Sequence, residues 1–485
     1  MLKLDLSNRL LYISSAAYIL LTGLSLYFEF YYITLLPAVI AVLWMAFFKL
    51  EYILWIVAAF TPVSINIEEF DMGGIGMYIP TEPLLFGVLI VFIFKLLSSN
   101  SIDSRIFCHT ISYIIYAYLG WMVFTSITSE HPFVSVKYVL TRMWFIASFY
   151  FLAVYLFSRW ENIRPYFLLY LFPLFGVIIY TVVRHSQYGF DKESSHWVME
   201  PLFKDHTSYG AVLAMYYPIL TALLLSKKMQ LVLKVLLGIG FLVLTAGLIL
   251  SYTRAAWLSV IAAAIVLVAM ILRIKFRTII LTSLVLASFL YVAMDDIQIA
   301  LQRNKQESSD KLEEHVGSIS NVSSDASNLE RLNRWNCAIE MWKERPVLGW
   351  GPGVYQFEYA PFQKAKDRTI ISTNEGDGGN AHSEYLGPLC EQGVLGMALV
   401  ILLVLSVCAM GFRLFFTVKD FETKLVSTSA FLGLITYFVH GVLNNYLDTD
   451  KASIPFWGFI AVLVAVDLYH TKGISHRSDK TESKI

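Results

Sequence analysis

The sequence predicts an all-α fold, a polytopic transmembrane bundle of about 12–14 helices with one long extracytoplasmic loop containing amphipathic helices. Three observations carry this expectation. Of the 485 residues, 57% are apolar and 15% charged, against about 45–50% and 25% in a soluble domain, and the mean hydropathy is +0.60; a soluble enzyme is excluded. The apolar residues form nearly uncharged blocks, among them 10–28, 81–97, 231–250 and 394–410, long enough for helices that cross a bilayer. Basic residues recur in every second connection, as the positive-inside rule requires. Lys plus Arg and Asp plus Glu both number 37, so the zero net charge says nothing about acidic partners; no nucleic acid is expected.

In chain order, spans are predicted at 10–28, 30–48, 50–63, 81–97, 111–127, 138–157, 166–183, 207–226, 231–250, 256–272, 277–294, 394–412, 426–443 and 454–470. The blocks at 30–48 and 50–63 are the weakest and would lower the count as re-entrant segments. The first block lacks a small-residue cleavage site and is expected to be retained. Cytoplasmic turns then hold Lys49, Lys95 with Arg105, Arg159 with Arg164, Lys227 with Lys228, Arg273 with Lys275, and Arg413 with Lys419. The alternate turns, around Glu68-Glu69-Phe70-Asp71, Glu130-His131 and Asn444-Asn445-Tyr446-Leu447-Asp448, are acidic or neutral. Both termini are expected in the cytoplasm. The chain divides into a bundle over 1–294, an extracytoplasmic loop over 295–393, C-terminal spans over 394–470 and a basic tail over 471–485.

A connection as long as 295–393 is usually functional or disordered. Residues 302–327 are polar and expected to be mobile. Ser327 and Glu330 then have capping-box spacing, and Leu332, Trp335, Ile339 and Trp342 follow at helical intervals until Pro346. This predicts an amphipathic helix with those four residues as its buried stripe, Arg331 at the edge of the stripe and Arg334 pointing away from it. Gly349-Trp350-Gly351-Pro352-Gly353 and the run 374–380 predict turns.

Cations are depleted outside the cytoplasm, so those found there are informative. Arg254 lies in a short turn between two apolar spans, where a guanidinium suits a phosphate or pyrophosphate; a snorkelling Arg on lipid phosphate is the bland alternative. Arg331 is a second candidate, with packing on Trp335 as its alternative. His382, after a glycine-rich run, is a candidate general base, although a lone His is more often a cap or surface residue. Arg142, Lys204, His206 and Glu384 could support such a site. Asp377, His382 and Glu384 match no metal-ligand pattern, and no metal or other cofactor is expected. Cys337 and Cys390 share one side of the membrane, but nothing in the sequence fixes whether they pair.

The order Ser251-Tyr252-Thr253-Arg254-Ala255-Ala256-Trp257, then Arg331 and Trp335, Arg345-Pro346-Val347-Leu348-Gly349-Trp350-Gly351-Pro352-Gly353, His382-Ser383 with Tyr385-Leu386, and Glu391-Gln392-Gly393-Val394-Leu395-Gly396 resembles the O-antigen ligase family, which also contains Wzy-like polysaccharide polymerases. The resemblance covers about a third of the chain. It implies a metal-independent, inverting glycosyltransferase of the bacterial inner membrane. Such an enzyme takes a glycan from an undecaprenyl-diphosphate carrier and gives it, on the periplasmic side, to lipid A-core or to another glycan. It assigns Arg254 and Arg331 to the diphosphate and His382 to the base. Two features depart from the family pattern: Pro388 is expected to interrupt the helix after His382, and Phe203-Lys204-Asp205-His206-Thr207 stands where many relatives have an Asp-Pro-Asn-like stretch. A transporter is the alternative from another class; it predicts midplane charges and repeated halves, whereas the mid-span charges are few and no repeat is visible.

Overall fold

The computed structural model describes residues 6–28, 34, 36–67, 76–98, 102–279, 281, 282, 285, 288, 326–364 and 379–471. The predicted mobile half of the long loop, most of the predicted span 277–294 and the basic tail lie outside them. Two compact units are present, 1–56 and 57–485. The first holds α1 (Leu6–Tyr27), α2 (Leu36–Phe48) and the start of α3 (Leu50–Phe60).

The second unit is helical apart from a two-residue antiparallel pair, β1 (Ile65–Asn66) with β2 (Tyr78–Ile79). Its helices are α4 (Thr81–Ser98), α5 (Thr110–Ile127), α6 (Pro132–Phe157, with a π-helical middle over Ala147–Leu152), α7 (Ile163–Ser186), α8 (His206–Leu225), α9 (Leu231–Leu250), α10 (Arg254–Ile271), α11 (Ala326–Glu344), α12 (Leu386–Thr417), α13 (Phe421–His440) and α14 (Asp450–Ala465, running on to His470). The all-α bundle is as expected. Among the described residues nine helices are long and apolar enough to cross a membrane, while α2 and α3, from the two weak blocks, are short.

The centre of the bundle is α14, buried at every position from Asp450 to Ala465. A helix apolar all round belongs inside a protein, and its one irregularity is repaired locally. Pro455 has no N–H to give the Lys451 carbonyl, and the Tyr170 hydroxyl donates to that oxygen instead at 2.8 Å. Tyr166 likewise donates to the Ile454 carbonyl at 2.9 Å. These two tyrosines of α7 pack with Tyr216 of α8, whose ring stacks on Tyr170 at 4.4 Å. The bundle core is thus aromatic, and its hydroxyls also satisfy backbone groups that have no water to turn to.

At the end of α14 nearest the loop, a buried ionic knot ties in the β-hairpin. Asp450 accepts from Ser64 and Thr81, both at 2.6 Å. Lys451 donates to the carbonyls of Thr61 and Ser64 at 2.6 and 2.7 Å.

Candidate active site

The long loop's described part is built on α11, and its buried face is not the one expected. Glu330, Asn333, Arg334, Cys337, Ala338 and Met341 are buried, a stripe at helical spacing, while Leu332, Trp335, Ile339 and Trp342 are only half-buried. The polar upper half of the stripe is held by specific partners. Arg334 Nε donates to Glu330 at 2.8 Å, its guanidinium lies 4.1 Å from the Tyr359 ring centroid, and Asn333 donates to Gln363 at 3.0 Å. Arg334 therefore points inward, correcting the apolar-stripe reading: ion pairing and stacking on tyrosine replaced aliphatic contact as the reason for burial. The helix ends at Glu344, two residues before Pro346, as expected.

Two of the family-like segments are each other's partners. Trp350 and Gly351 donate their N–H groups to the carbonyls of Cys390 and Glu391 at 3.0 and 2.8 Å, and Val394 N–H donates to the Pro346 carbonyl at 3.0 Å. Backbone approach this close requires glycine on both sides. A Cβ on Gly349 (φ +69°) would lie 2.3 Å from the Glu391 backbone, and one on Gly393 (φ +71°) 2.0 Å from the Val347 oxygen. Gly393 also breaks α12, so a short entry segment precedes the long span. Pro388 sits in the first turn of α12, where a helix has no use for that N–H, and it does not interrupt the helix.

His382 immediately precedes this entry. It adopts the left-handed conformation (φ +48°). Its N–H donates to Asn380 at 3.1 Å and its carbonyl accepts from Trp335 Nε1 at 3.3 Å. Burial, then the Arg331 and Arg334 guanidinium groups, push its imidazole down to about 4, so it is neutral at physiological pH. The charge of Arg331 acts on His382, His206 and His440 alike. His206 opens α8 and stacks on His196 at 4.2 Å. Before it, Asp205 caps the helix through the N–H groups of Thr207 and Ser208, both at 2.8 Å. Arg254, the first residue of α10, joins this corner through its neighbour: Thr253 Oγ1 donates to the His206 carbonyl at 2.8 Å.

Arg142 and Glu384 belong to a different constellation. Both line a cleft of about 550 Å³ together with Tyr138, Tyr385, Tyr437 and Trp457. Arg142 donates to Tyr138 at 2.7 Å and to the Leu447 carbonyl. Glu384 Oε1 accepts from the Tyr437 hydroxyl at 2.6 Å and from the N–H groups of Tyr446 and Leu447 at 2.8 and 3.0 Å. These bonds pin the turn 441–449, and burial raises the carboxyl above its ordinary range. Lys204 is exposed; its charge acts on Asp448. Asp377 lies outside the described residues. Among the described residues no three His, Cys, Asp or Glu side chains gather as a metal site. Cys337 and Cys390 are buried free thiols.

Sequence reasoning missed His196, His440 and Tyr446 as neighbours of the site. The signal for Tyr446 is the acidic-to-neutral turn Asn444-Asn445-Tyr446-Leu447-Asp448, which speaks in the sequence only for sidedness; His440 carries none.

With this geometry in place, one comparison bears on it: residues 239–401 match the model of the O-antigen ligase family. That segment is similar to the O-antigen ligases. No curated protein matches the chain. The matched segment runs from within α9 to within α12 and includes Arg254, Arg331, His382 and both interlocked glycine segments. The match covers about a third of the chain, and the nine long apolar helices among the described residues make the chain a multi-pass membrane protein.

Proposed function

We propose that the chain transfers a glycan from an undecaprenyl-diphosphate carrier to lipid A-core at the periplasmic face of the inner membrane. The observation that carries this reading is His382, a half-buried imidazole bonded through its backbone to Asn380 and Trp335 and lying in the field of Arg331 and Arg334. In the reaction, the acceptor hydroxyl oxygen bonds to the anomeric carbon as the bond from that carbon to the diphosphate oxygen breaks. His382 takes the hydroxyl proton, and Arg254 and Arg331 stabilise the charge developing on the departing diphosphate. Attack from the face opposite the leaving group inverts the linkage, and no metal is needed.

The electrostatics couple the two halves of this chemistry. Arg331, assigned to the diphosphate, also lowers the basicity of His382 while the site is empty. A bound diphosphate offsets the charge of Arg331, so the imidazole becomes a stronger base when the donor is present. The acceptor then meets an active base only in the loaded site.

Transfer from a purified lipid-linked donor to lipid A-core in nanodiscs tests the assignment. His382→Ala should bind donor but fail in transfer, by about 10²–10⁴ in rate, whereas Arg331→Ala should lose donor binding as well. Wild-type turnover in His382→Ala would refute the base. Deleting the gene separates ligase from polymerase: a ligase defect leaves polymer on the carrier and bare core, whereas a polymerase defect leaves core bearing one repeat. Sidedness is tested with an impermeant thiol reagent on cysteines at Val347, exposed in the loop, and Phe421, exposed at the other end of the bundle. Labelling from outside the inner membrane at Phe421 alone would overturn the topology.

A further inference from the structure

His440, the last residue of α13, is 1% exposed. Its Nε2 lies 3.1 Å from the Asn444 side-chain amide nitrogen, which makes Nε2 the acceptor and leaves the ring proton on Nδ1. That Nδ1 has no hydrogen-bond partner among the described residues. A buried donor without an acceptor is rare in native proteins and calls for an explanation. The surroundings supply one. The charges of Arg331 and Asp205 both act on the ring, and the Tyr446 ring packs 5.9 Å away. The Tyr446 hydroxyl bonds to Thr207 Oγ1, which in turn bonds to Asp205 at 2.5 Å. His440, at the end of α13, is thus linked through Tyr446 and Thr207 to Asp205, the residue before His206.

We infer that His440 is a substrate-contacting residue whose Nδ1–H donates to an oxygen of the lipid-linked donor, phosphate or sugar, seated beside Arg331. The inference rests on the donor-site reading above. The contact forms as Tyr446 turns aside and the donor enters. A neutral N–H suits this place because it adds a directional bond without adding to the cationic field that already depresses His382. His440 is then a selectivity element, reading the position of one oxygen, where Arg331 reads charge.

The two amide isosteres separate this role from a structural one. An asparagine amide overlays Nδ1 and keeps a donor there, while a glutamine amide overlays Nε2 and keeps only the bond to Asn444. Binding of two probes, undecaprenyl diphosphate and an undecaprenyl-diphosphate-linked glycan, is measured on the full chain in nanodiscs. His440→Gln should weaken binding about tenfold or more, and His440→Asn should remain close to wild type. Loss with both probes assigns the oxygen to phosphate; loss with the glycan-linked probe alone assigns it to sugar. The reverse pattern, equal losses in both variants, or no loss in either would overturn the inference and leave His440 as the anchor of Asn444. Arg331→Ala is the control. Unchanged binding there refutes the donor-site reading and this inference with it, whereas loss there with intact His440→Gln refutes the inference alone.

Discussion

Removing Arg334 should loosen the described part of the loop without touching the donor. The side chain is 4% exposed and its partner Glu330 6%, with 2.8 Å between Nε and the carboxylate and the guanidinium over Tyr359 at 4.1 Å. Deleting one member of a buried pair leaves the other charge uncompensated and destabilises by about 3–5 kcal/mol. The lost stacking is worth up to about 2 kcal/mol when desolvated, and the two losses overlap because they share one group. Taking about 3 kcal/mol for the local opening of α11, and tenfold per 1.4 kcal/mol, Arg334→Ala should speed amide exchange at 335–344 by about 10²-fold. The double variant Glu330→Gln/Arg334→Met should lose less, since it leaves no stranded charge. Hydrogen exchange read by mass spectrometry on the detergent-solubilised chain measures both. Wild-type protection in Arg334→Ala would refute the argument and restore the outward-pointing arginine that the apolar spacing suggested. Arg331→Ala should leave exchange unchanged and lower donor binding, so the two arginines separate fold from function.

Three further outcomes follow from the site. The free-enzyme base limb, read from kcat/KM, should lie near pH 4, and kcat/KM should fall only as pH drops through that value. Removing a depressing cation with Arg331→Ala should move the limb upward, and a wild-type limb near 6.5 would contradict a buried imidazole in a cationic field. Arg254→Lys should not restore what Arg254→Ala removes, because an ammonium cannot replace a planar fork on two phosphate oxygens; full transfer by the Lys variant would reduce Arg254 to a general charge. Gly349→Ala should lower stability by about 1–3 kcal/mol or more, since the added carbon meets the Glu391 backbone rather than a side chain that can move; an unchanged thermal midpoint would show that the two segments need not touch.

What was legible in the sequence was whatever a local pattern encodes. Apolar block length gave the helices, Pro346 the end of α11, and glycine spacing the turns at 349–353. The same rules failed where a polar group is buried with a partner distant in sequence. Spacing alone ranked Trp335 and Trp342 above Asn333 and Arg334 as buried residues, because hydrophobicity scores a residue by itself while Arg334 is buried by virtue of Glu330 and Tyr359. Arg142 and Glu384 were grouped with His382 because all were polar and on one side, yet their hydrogen bonds go to the turn 441–449.

That turn shows why the composition of the site exceeds its motif. The residues legible as a family signature, Arg254, Arg331 and His382, all fall within 239–401. The ones that complete the corner come from both sides of it, His196, Asp205 and His206 before and His440 and Tyr446 after. Tyr446 reaches Thr207 across 239 residues of sequence, and Glu384 fixes the backbone of the turn that presents it. A charged donor must be held by groups on several helices if the bundle is to close around it, so part of the site has to come from segments that no single motif contains. On the proposed reading, the matched segment supplies charge for diphosphate departure and a base for the acceptor hydroxyl. The flanking segments supply hydrogen-bonding groups of fixed direction, and it is these that can distinguish one glycan from another.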